Sequence, residues 1–481
     1  MKTNTLDFDA QALRDKILDL AMRGKLVKQD PNDEPASELL KKIKAEKAEL
    51  IKERKIKKSK PLPPITDNEK PFDLPDSWEW VRLEEVGSVK NGKTPKKEDI
   101  NSQGPYPYFK VKDMNNNRLY MNKVESYVDE KYKNQLLPKN TIIFPKNGGA
   151  VLTAKKRILI QASLVDLNTG GLVPNSNINC KYLFYLFKSL NIKDYVKGSA
   201  VPTINSKKLK ETVVPLPPLS EQSRIAAKIA QLFALLRKVE SSTQQYAKLQ
   251  TLLKSKVLDL AMRGKLVKQD PNDEPASELL KKIKAEKAEL IKERKIKKSK
   301  PLPPITDNEK PFDIPDSWEW VRLGEITKKI TDGTHNPPPN AHLGKQIISA
   351  VNIKNGKIDF KLSDRFVTNL QFEKEDKRTH IRRGDILFTI VGSLGNAAIV
   401  ETDKMFTAQR SVAIINSDLP SKYLYYSLIS KMFQEQIFNN AKGTTQKGIY
   451  LKKLSGLVLP LPPLKEQGRI VNKVNKLSKI M

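Results

Sequence analysis

The chain has 481 residues, enough for two to four domains, and 87 Lys and Arg against 55 Asp and Glu give it a formal net charge of +32. Such a surplus indicates a polyanionic partner, nucleic acid before an anionic membrane surface. The single cysteine, Cys180, excludes internal disulfides and a cysteine-rich zinc site, and with three histidines no metal site is predicted. Because no apolar run reaches the ~18 residues of a membrane span and the N-terminus has no apolar signal core, the sequence predicts a soluble, cytoplasmic protein with no membrane partner.

An internal repeat organises the chain. Residues 18–83 recur at 258–323 with one difference, Leu74 against Ile314. The motif PLPPLSEQSRI at 215–225 recurs as PLPPLKEQGRI at 460–470. Between these blocks, residues 84–214 and 324–459 resemble each other only faintly. We therefore predict an N-terminal helical region and linker (1–75), a first variable domain (76–218), a central helical region and linker (219–315), a second variable domain (316–463) and a C-terminal helix stub (464–481).

The repeated block begins with helical patterns. After the N-terminal helix, residues 30–58 and their copy 270–298 predict a charged helix that begins at Ala36 or Ser37 and carries one apolar stripe. The segment SKPLPPITDNEKPFDLPDSW that follows predicts an extended, proline-rich linker. It leads into WEWVRL, which predicts a first strand.

The two variable stretches share one order of elements. Each contains a strand, a strand followed by a glycine turn, another strand, a helix and then a basic glycine loop, KGSAVPTIN at 197–205 or KGTTQKGIYLKKL at 442–454. We interpret them as homologous α/β domains of diverged sequence. Lysines beside hydroxyl and amide side chains suit contacts to phosphate oxygens and base edges, whereas an ordinary surface turn is the alternative interpretation of each loop.

A long helix is predicted from about 220 to 264, ending at Gly264, and would measure roughly 65 Å at ~1.5 Å per residue. Its apolar positions alternate in spacing between four and three, which indicates a coiled-coil seam, with an amphipathic helix on a globular core as the alternative. Thr243 and Gln250 interrupt the seam, and Tyr246 lies between them. The two chain ends continue the same pattern and match the two halves of a second helix. The predicted seam residues are Leu13, Ile17, Leu20, Ile225, Ile229, Leu232, Leu236, Val239, Leu253, Val257, Leu260, Ile470, Val474 and Leu477. The predicted fold class is α+β, two α/β domains separated by long antiparallel coiled-coil helices in a pseudo-twofold cyclic arrangement.

Two segments imitate catalytic motifs. GSVKNGKT at 87–94 satisfies the pattern of a phosphate-binding loop, but a charged segment precedes it and Pro95 makes a poor helix opening. HNPPPN at 335–340 is similar to the Asn-Pro-Pro-aromatic motif of amino methyltransferases, with Pro339 in place of the aromatic residue that would stack on a flipped base. No catalytic residue is therefore predicted.

The duplicated plan resembles the specificity (S) subunit of Type I restriction–modification enzymes. The resemblance covers essentially the whole chain and rests on the two PLPPLxEQxRI motifs, the WxWVRLxE openings at 78–85 and 318–325, and GDIL at 384–387, which the first domain replaces with KNTIIF at 139–144. It implies two target recognition domains, each reading one half of a bipartite double-stranded DNA target, with the helices setting the gap. It also implies two methylation (M) subunits and two restriction (R) subunits as partners, with S-adenosylmethionine, ATP and Mg bound by those partners and no cofactor or catalysis in this chain.

Two other classes stay open at this stage, a DNA-binding scaffold or architectural protein without a bipartite target and a self-contained DNA methyltransferase. The candidate DNA-binding residues lie in the opening loops and the glycine loops of both domains, together with one Gln-Arg pair whose side chains suit bidentate contacts to adenine and guanine. They are Lys93, Lys96, Lys97, Lys197, Ser199, Thr203, Lys328, Lys329, His335, Gln409, Arg410, Lys442, Thr444, Gln446 and Lys447.

Overall fold

The computed structural model describes residues 9–54, 61–198, 201–336, 338–443 and 447–480. The chain forms two compact units, unit 1 (Met1–Thr243) and unit 2 (Gln244–Met481). Both units mix helices with small sheets, so the predicted α+β class is confirmed. The cyclic arrangement of the two units stays a prediction.

The elements of unit 1 follow the chain in this order: α1 (Ala10–Met22), α2 (Ala36–Lys52), β1 (Glu79–Arg82), α3 (Leu83–Val86), β2 (Gly87–Asn91), β3 (Tyr106–Phe109), β4 (Tyr120–Met121), β5 (Tyr127–Val128), β6 (Ile142–Pro145), β7 (Arg157–Leu159), β8 (Leu164–Val165), β9 (Thr169–Pro174), α4 (Cys180–Ser189), β10 (Val196–Lys197), β11 (Thr203–Ile204), α5 (Ser206–Lys210), β12 (Val213–Leu216) and α6 (Leu219–Met262), whose second half belongs to unit 2.

The remaining elements of unit 2 are α7 (Ala276–Lys292), β13 (Glu319–Arg322), β14 (Lys329–Asp332), β15 (Lys345–Ile348), β16 (Ile353–Lys354), β17 (Lys357–Ile358), β18 (Phe366–Val367), α8 (Asn369–Thr379), β19 (Ile386–Thr389), β20 (Ala397–Ile399), β21 (Phe406–Ala408), β22 (Val412–Asn416), α9 (Ser421–Ile429), α10 (Lys431–Asn440), α11 (Leu451–Ser455), β23 (Val458–Leu461) and α12 (Leu464–Ile480).

The two variable domains have matching strand topology. In unit 1 the main sheet has the order β2-β9-β6-β7-β4, and in unit 2 the order is β14-β22-β19-β20. A second sheet joins β3 in parallel to β8 and antiparallel to β5, and β15 makes the same pairings with β21 and β18. A two-stranded ladder, β1 with β12 or β13 with β23, pairs the first and last strands of each domain. The predicted common order of elements is therefore confirmed.

The proline motif anchors each variable domain to the start of a long helix. In unit 1 the buried carboxylate of Glu221 accepts hydrogen bonds from the Trp78 indole at 2.9 Å and from the Gln29 amide at 2.6 Å. Burial raises the pKa of Glu221. Arg224, one turn further on, forms a two-pronged ion pair with Asp33. The Glu-Gln-x-Arg part of the motif therefore ties the helix to the strand opening and to the loop after α1.

Unit 2 has the equivalent contacts between its proline motif, its strand opening and the loop after α6. Glu466 accepts from Trp318 at 3.0 Å and from Gln269 at 2.7 Å, and Arg469 pairs with Asp273. The prolines also take part, because the carbonyl of Pro215 in unit 1, like that of Pro460 in unit 2, accepts from a buried tyrosine hydroxyl at 2.8 Å. The repeated motif is therefore explained by packing and hydrogen bonding within each unit.

A buried arginine holds the proline-rich linker. The Arg82 guanidinium donates to the carbonyls of Pro63 and Pro64 and forms an ion pair with Glu69 at 2.7 Å. Arg322 makes the equivalent contacts in unit 2. Hydrogen bonds from these arginines lower the pKa of Glu69 and of Glu309 to about 2. The prolines keep this linker out of a helix, and the arginine satisfies carbonyls that have no neighbouring strand to bond.

The predicted helical seam is present at both ends of α6. Ile225 and Ile229 are buried in unit 1 against Leu18 of α1, and Leu236 packs at the margin of this cluster. Arg14 of α1 pairs with Glu240, which places α1 antiparallel to the first half of α6. In unit 2, Val257 is buried together with Ile470 and Val474 of α12, with Leu477 beside them.

The middle of α6 departs from the predicted seam. Val239 and Leu253 are 44% and 50% exposed, and Leu13 of α1 is 43% exposed. Tyr246, between them, is 57% exposed. Ile17, Leu20, Leu232 and Leu260 are half-buried. Within the described residues α1 covers only the first half of the helix and α12 only the second, so the prediction of a continuous buried seam was wrong for these central positions.

The helix boundaries agree with the predictions except at the ends of the charged helices. The charged helices begin at Ala36 and Ala276 as predicted, but they end at Lys52 and Lys292 rather than at 58 and 298. The apolar run at 421–438 forms two helices, because the Ser430 hydroxyl accepts from the Phe433 amide and caps a new helix. The long helix ends at Met262, just before Gly264, whose φ of +68° favours glycine.

Candidate nucleic-acid interface

Four loops of unit 1 form one continuous edge, which we call the unit 1 loop surface (residues 92–94, 146–148, 166–169 and 202–204). Backbone hydrogen bonds join them in sequence. The Lys93 amide donates to Val165 at 2.8 Å, and the Lys146 amide donates to Asn168 at 2.7 Å. The Gly148 amide then donates to Pro202 at 2.8 Å. The opening loop and the glycine loop are therefore two parts of the same surface.

Unit 2 builds the same edge, the unit 2 loop surface (residues 333–335, 390–392, 408–411 and 447–449). The Thr334 amide donates to Ala408 at 2.8 Å, and the Ile390 amide donates to Ser411 at 2.9 Å. The Gly392 amide donates to Lys447 at 3.3 Å. Each bond has a counterpart in unit 1, so the two surfaces share one backbone frame.

A glycine is required at the same point of both frames. A Cβ on Gly92 would lie 2.1 Å from the carbonyl oxygen of Asp166, and a Cβ on Gly333 would lie 2.0 Å from that of Ala408. Any side chain there would push the opening loop away from its neighbour. Gly92 belongs to the segment that satisfies the pattern of a phosphate-binding loop, but here it allows close contact between two backbones. The chain after it continues into a 3-10 turn at Lys97–Asp99 rather than into an α-helix.

The equivalent positions of the two frames carry different side chains. The matched hydrogen bonds make Lys93 equivalent to the buried Thr334, Lys146 equivalent to the buried Ile390, and Pro202 equivalent to the exposed Lys447. In the turn between the loops, Leu167 of unit 1 corresponds to Arg410 of unit 2, and both are exposed. A shared frame that exposes Leu167 in one unit and Arg410 in the other is what two readers of different chemical patterns require.

Most of the predicted contact residues that the structure describes lie on or beside these surfaces. Lys93, Lys197 and Thr203 belong to the unit 1 edge, and Lys96 and Lys97 continue its opening loop. His335, Gln409, Arg410, Lys442 and Lys447 belong to the unit 2 edge, where Lys442 and Gly448 bridge the glycine loop. Ser199, Thr444 and Gln446 lie outside the described residues.

Lys328 and Lys329 are not brought to the loop surface. Lys328 immediately precedes β14 and Lys329 begins it, whereas the other end of this strand leads into the opening loop. The Lys328 amine pairs with Glu286 and Asp418, and although burial opposes its charge, hydrogen bonds to Asp418 and Glu286 raise its pKa. The Lys329 amine donates to the Thr379 carbonyl at 2.9 Å, and burial lowers its pKa.

Sequence reasoning missed two residues of the interface. Lys146 follows β6 and reaches the surface through the glycine turn, whereas Leu167 is an apolar residue left 52% exposed in the turn before β9. The neighbouring Asp166 is half-buried, accepts from the Thr169 hydroxyl at 2.5 Å, and has its pKa raised by burial. The KNGG turn was a usable signal for Lys146, but no sequence pattern distinguishes an exposed leucine from a core leucine.

The described residues contain neither a group of His, Cys, Asp or Glu side chains suited to a metal ion nor a helix long and apolar enough to cross a membrane. The HNPPPN segment forms part of the connection between β14 and β15, where the Pro338 carbonyl accepts from Arg365 at 3.0 Å. The paired loop surfaces on a strongly basic chain define a two-domain nucleic-acid-binding protein.

Comparison with known proteins identifies the family. The family model of the Type I restriction modification DNA specificity domain matches residues 75–250 and 315–481. The specificity subunit of the Type I restriction enzyme EcoAI of Escherichia coli is 34% identical over 98% of this chain and 89% of its own length, and that of EcoEI is 31% identical over 98% and 90%. The chain therefore belongs to the Type I restriction–modification specificity subunits, and its part is to recognise DNA sequence without catalysing a reaction.

A solved structure shares the fold. A chain from a study of complex assembly and conformational transition of the type I R-M system superposes with a TM-score of 0.55 at 19% identity, covering 85% of this chain and 92% of that chain. The likeness supports the observed architecture, in which two related domains each carry their own helical elements.

Proposed function

We propose that each loop surface reads one half of a bipartite double-stranded DNA target and that α6 sets the unspecified gap between the halves. The observation that carries this proposal is the pair of loop surfaces, which have one backbone frame and different exposed residues. Arg410 suits a bidentate contact to guanine, whereas Leu167 suits apolar contact with a thymine methyl group. Lysines of both surfaces supply phosphate contacts that position the domains without reading sequence.

The assembly around the chain is also part of the proposal. Two M subunits that bind S-adenosylmethionine and two R subunits that use ATP and Mg would act on the DNA that this chain selects, in the cytoplasm. The EcoAI and EcoEI relatives are named as subunits of Type I restriction enzymes, which supports partner subunits but not their number. The exposed central turns of α6, with Val239, Tyr246 and Leu253, leave apolar surface available to such partners.

A methylome experiment tests the reading function. Cells that express this chain with its M partner are sequenced for modified bases, and the motif is compared between the wild type and Arg410→Leu. We expect a bipartite motif in the wild type and relaxation of one position in one half-site, because losing a bidentate contact costs about 1–3 kcal/mol of discrimination. The complementary variant Leu167→Arg should alter the other half-site alone.

The control is Lys281→Ser on α7, where the amine pairs with Glu278 and belongs to neither loop surface. It should leave the motif unchanged. A motif without two separated halves would contradict the proposal, as would identical motifs from the wild type, Arg410→Leu and Leu167→Arg.

A further inference from the structure

We infer that unit 2 has a second DNA contact, a cationic groove that holds the phosphate backbone of the duplex flanking its half-site. This inference rests on the proposed function and adds a place for DNA outside the read bases. The groove has a volume of about 1860 Å³ and is walled by the linker after α7, by α10 and by α11. Its described lining residues include thirteen Lys and Arg side chains but three carboxylates.

The lining cations fall into two groups. Those deep in the fold have partners, such as Arg322 with Glu309 and Lys287 with the Gly324 carbonyl. The exposed Lys295 and Lys431 pair with Glu293 and Glu435, whereas five other exposed lysines make no ion pair or side-chain hydrogen bond with the described residues. They are Lys297, Lys300, Lys377, Lys452 and Lys453. A groove rimmed by unpaired ammonium groups attracts a polyanion, and its charge is not consumed within the protein.

The groove continues from the unit 2 loop surface along two routes. Asp332 accepts from His335 of the loop surface at 2.8 Å and from Arg378 of the groove at 3.2 Å. On the other side, the chain runs from the glycine loop at Lys447 directly into α11, which carries Lys452 and Lys453. A duplex seated on the loop surface therefore has its neighbouring phosphates next to the groove. This continuity favours DNA over an acidic protein segment as the occupant.

In its described part unit 1 lacks two of the helices that line this groove, although α5 corresponds to α11 and also carries lysines. Where unit 2 has α8, unit 1 has a 3-10 turn at Glu130–Gln135, and where unit 2 has α10, it has a 3-10 turn at Ile192–Tyr195. The inference is therefore made for unit 2. It predicts that flanking DNA beyond the unit 2 half-site strengthens binding.

The test compares two variants of the full chain with equal loss of charge. The groove variant is Lys297→Ser, Lys300→Ser, Lys452→Ser and Lys453→Ser. The control variant replaces four exposed lysines of α2 and α7 that pair with glutamates, Lys41→Ser, Lys42→Ser, Lys281→Ser and Lys282→Ser. Each protein, in complex with its M subunits, is titrated with the methylated duplex at several salt concentrations, and duplexes with short and long flanks are compared.

We expect the groove variant to reduce the slope of log K against log salt by up to about 3–4, because each lost phosphate contact contributes about 0.9. Its affinity for the long-flanked duplex should fall roughly 10- to 100-fold at physiological salt, whereas that for a duplex without the unit 2 flank changes little. Hydroxyl-radical protection of that flank should disappear while the half-site footprints remain. Equal salt slopes for the groove and control variants, or unchanged flank protection, would overturn the inference. A wild-type complex without any sequence preference would instead refute the proposed function.

Discussion

The proline motif of each unit contains a buried side-chain carbonyl, that of Gln222 in unit 1 and that of Gln467 in unit 2. The carbonyl has a hydrogen-bond donor in unit 1 but none among the described residues in unit 2. In unit 1 the side-chain carbonyl of Gln222 accepts from the backbone amide of Asn179 at 2.9 Å. The equivalent of Asn179 is Pro420, because both precede the helix that carries the tyrosine bonded to the proline motif. Proline has no amide hydrogen, and Gln467 Oε1 is buried without a hydrogen-bond partner among the described residues.

Pro420→Asn should therefore stabilise unit 2. The new amide would satisfy a buried acceptor, contributing about 1–2 kcal/mol, and the Asn side chain would cap α9 for about 1 kcal/mol, as Asn179 caps α4. Losing proline costs about 0.4–1 kcal/mol through the unfolded chain. The net gain of about 1–2 kcal/mol corresponds to a rise in Tm of roughly 2–8 °C for a unit of this size.

Differential scanning calorimetry of the full chain measures this effect. Pro420→Ala separates the two contributions, since it restores the amide without the cap and should give the smaller gain. Asn179→Pro makes the reverse change in unit 1 and should lower the stability of that unit by about 2–4 kcal/mol. If Pro420→Asn matched the wild type and Asn179→Pro were also neutral, the reasoning about the buried acceptor would be refuted.

Three further predictions concern charge and length. Glu466→Ala leaves Trp318 and Gln269 without their shared acceptor, so urea unfolding should show a loss of about 2–4 kcal/mol in unit 2 and none in unit 1. Burial lowers the pKa of Lys156 to about 7, below its unfolded value, so the folded chain releases this proton at a lower pH than the unfolded chain. The free energy of unfolding should therefore rise with pH between about 7 and 10, by at most about 1.4 kcal/mol per pH unit. Lys156→Met should flatten this pH dependence without altering the response of unit 2. Inserting seven residues near the centre of α6 should lengthen the gap of the methylated motif and leave both half-sites intact; an unchanged gap would exclude α6 as the ruler.

Local chemistry allowed much of the fold to be predicted from the sequence. The prolines at 215–218 end a strand and the Glu-Gln that follows opens a helix, so the start of α6 at Leu219 follows from those residues. The two glycine loops were paired by order alone, and the hydrogen-bonded frames of the loop surfaces confirm that equivalence. Repetition helped because each assignment in one half could be checked against the other.

The predictions that failed depend on contacts between residues distant in sequence. Helical spacing identifies the face of α6 that carries Val239 and Leu253, but it does not reveal whether another helix covers that face. Lys328 and an exposed surface lysine look alike in sequence, and only the fold brings Glu286 and Asp418 to the former. Leu167 was missed for the same reason, since its exposure depends on loops that meet through backbone hydrogen bonds.

The repeated contacts at the entrance and exit of each variable domain predict that these domains are interchangeable at the level of the gene. Arg82 at the domain entrance, like Gln29 and Asp33, which bind the proline motif, lies in the block that is repeated nearly identically, and the partners of Gln29 and Asp33 lie in the proline motif. Because the two amino-acid stretches are nearly identical, we expect their coding sequences to be substrates for homologous recombination and a segment exchanged between them to arrive with both of its attachment points in place. We therefore expect that a new DNA specificity can be acquired in one event without redesign of the protein that carries it.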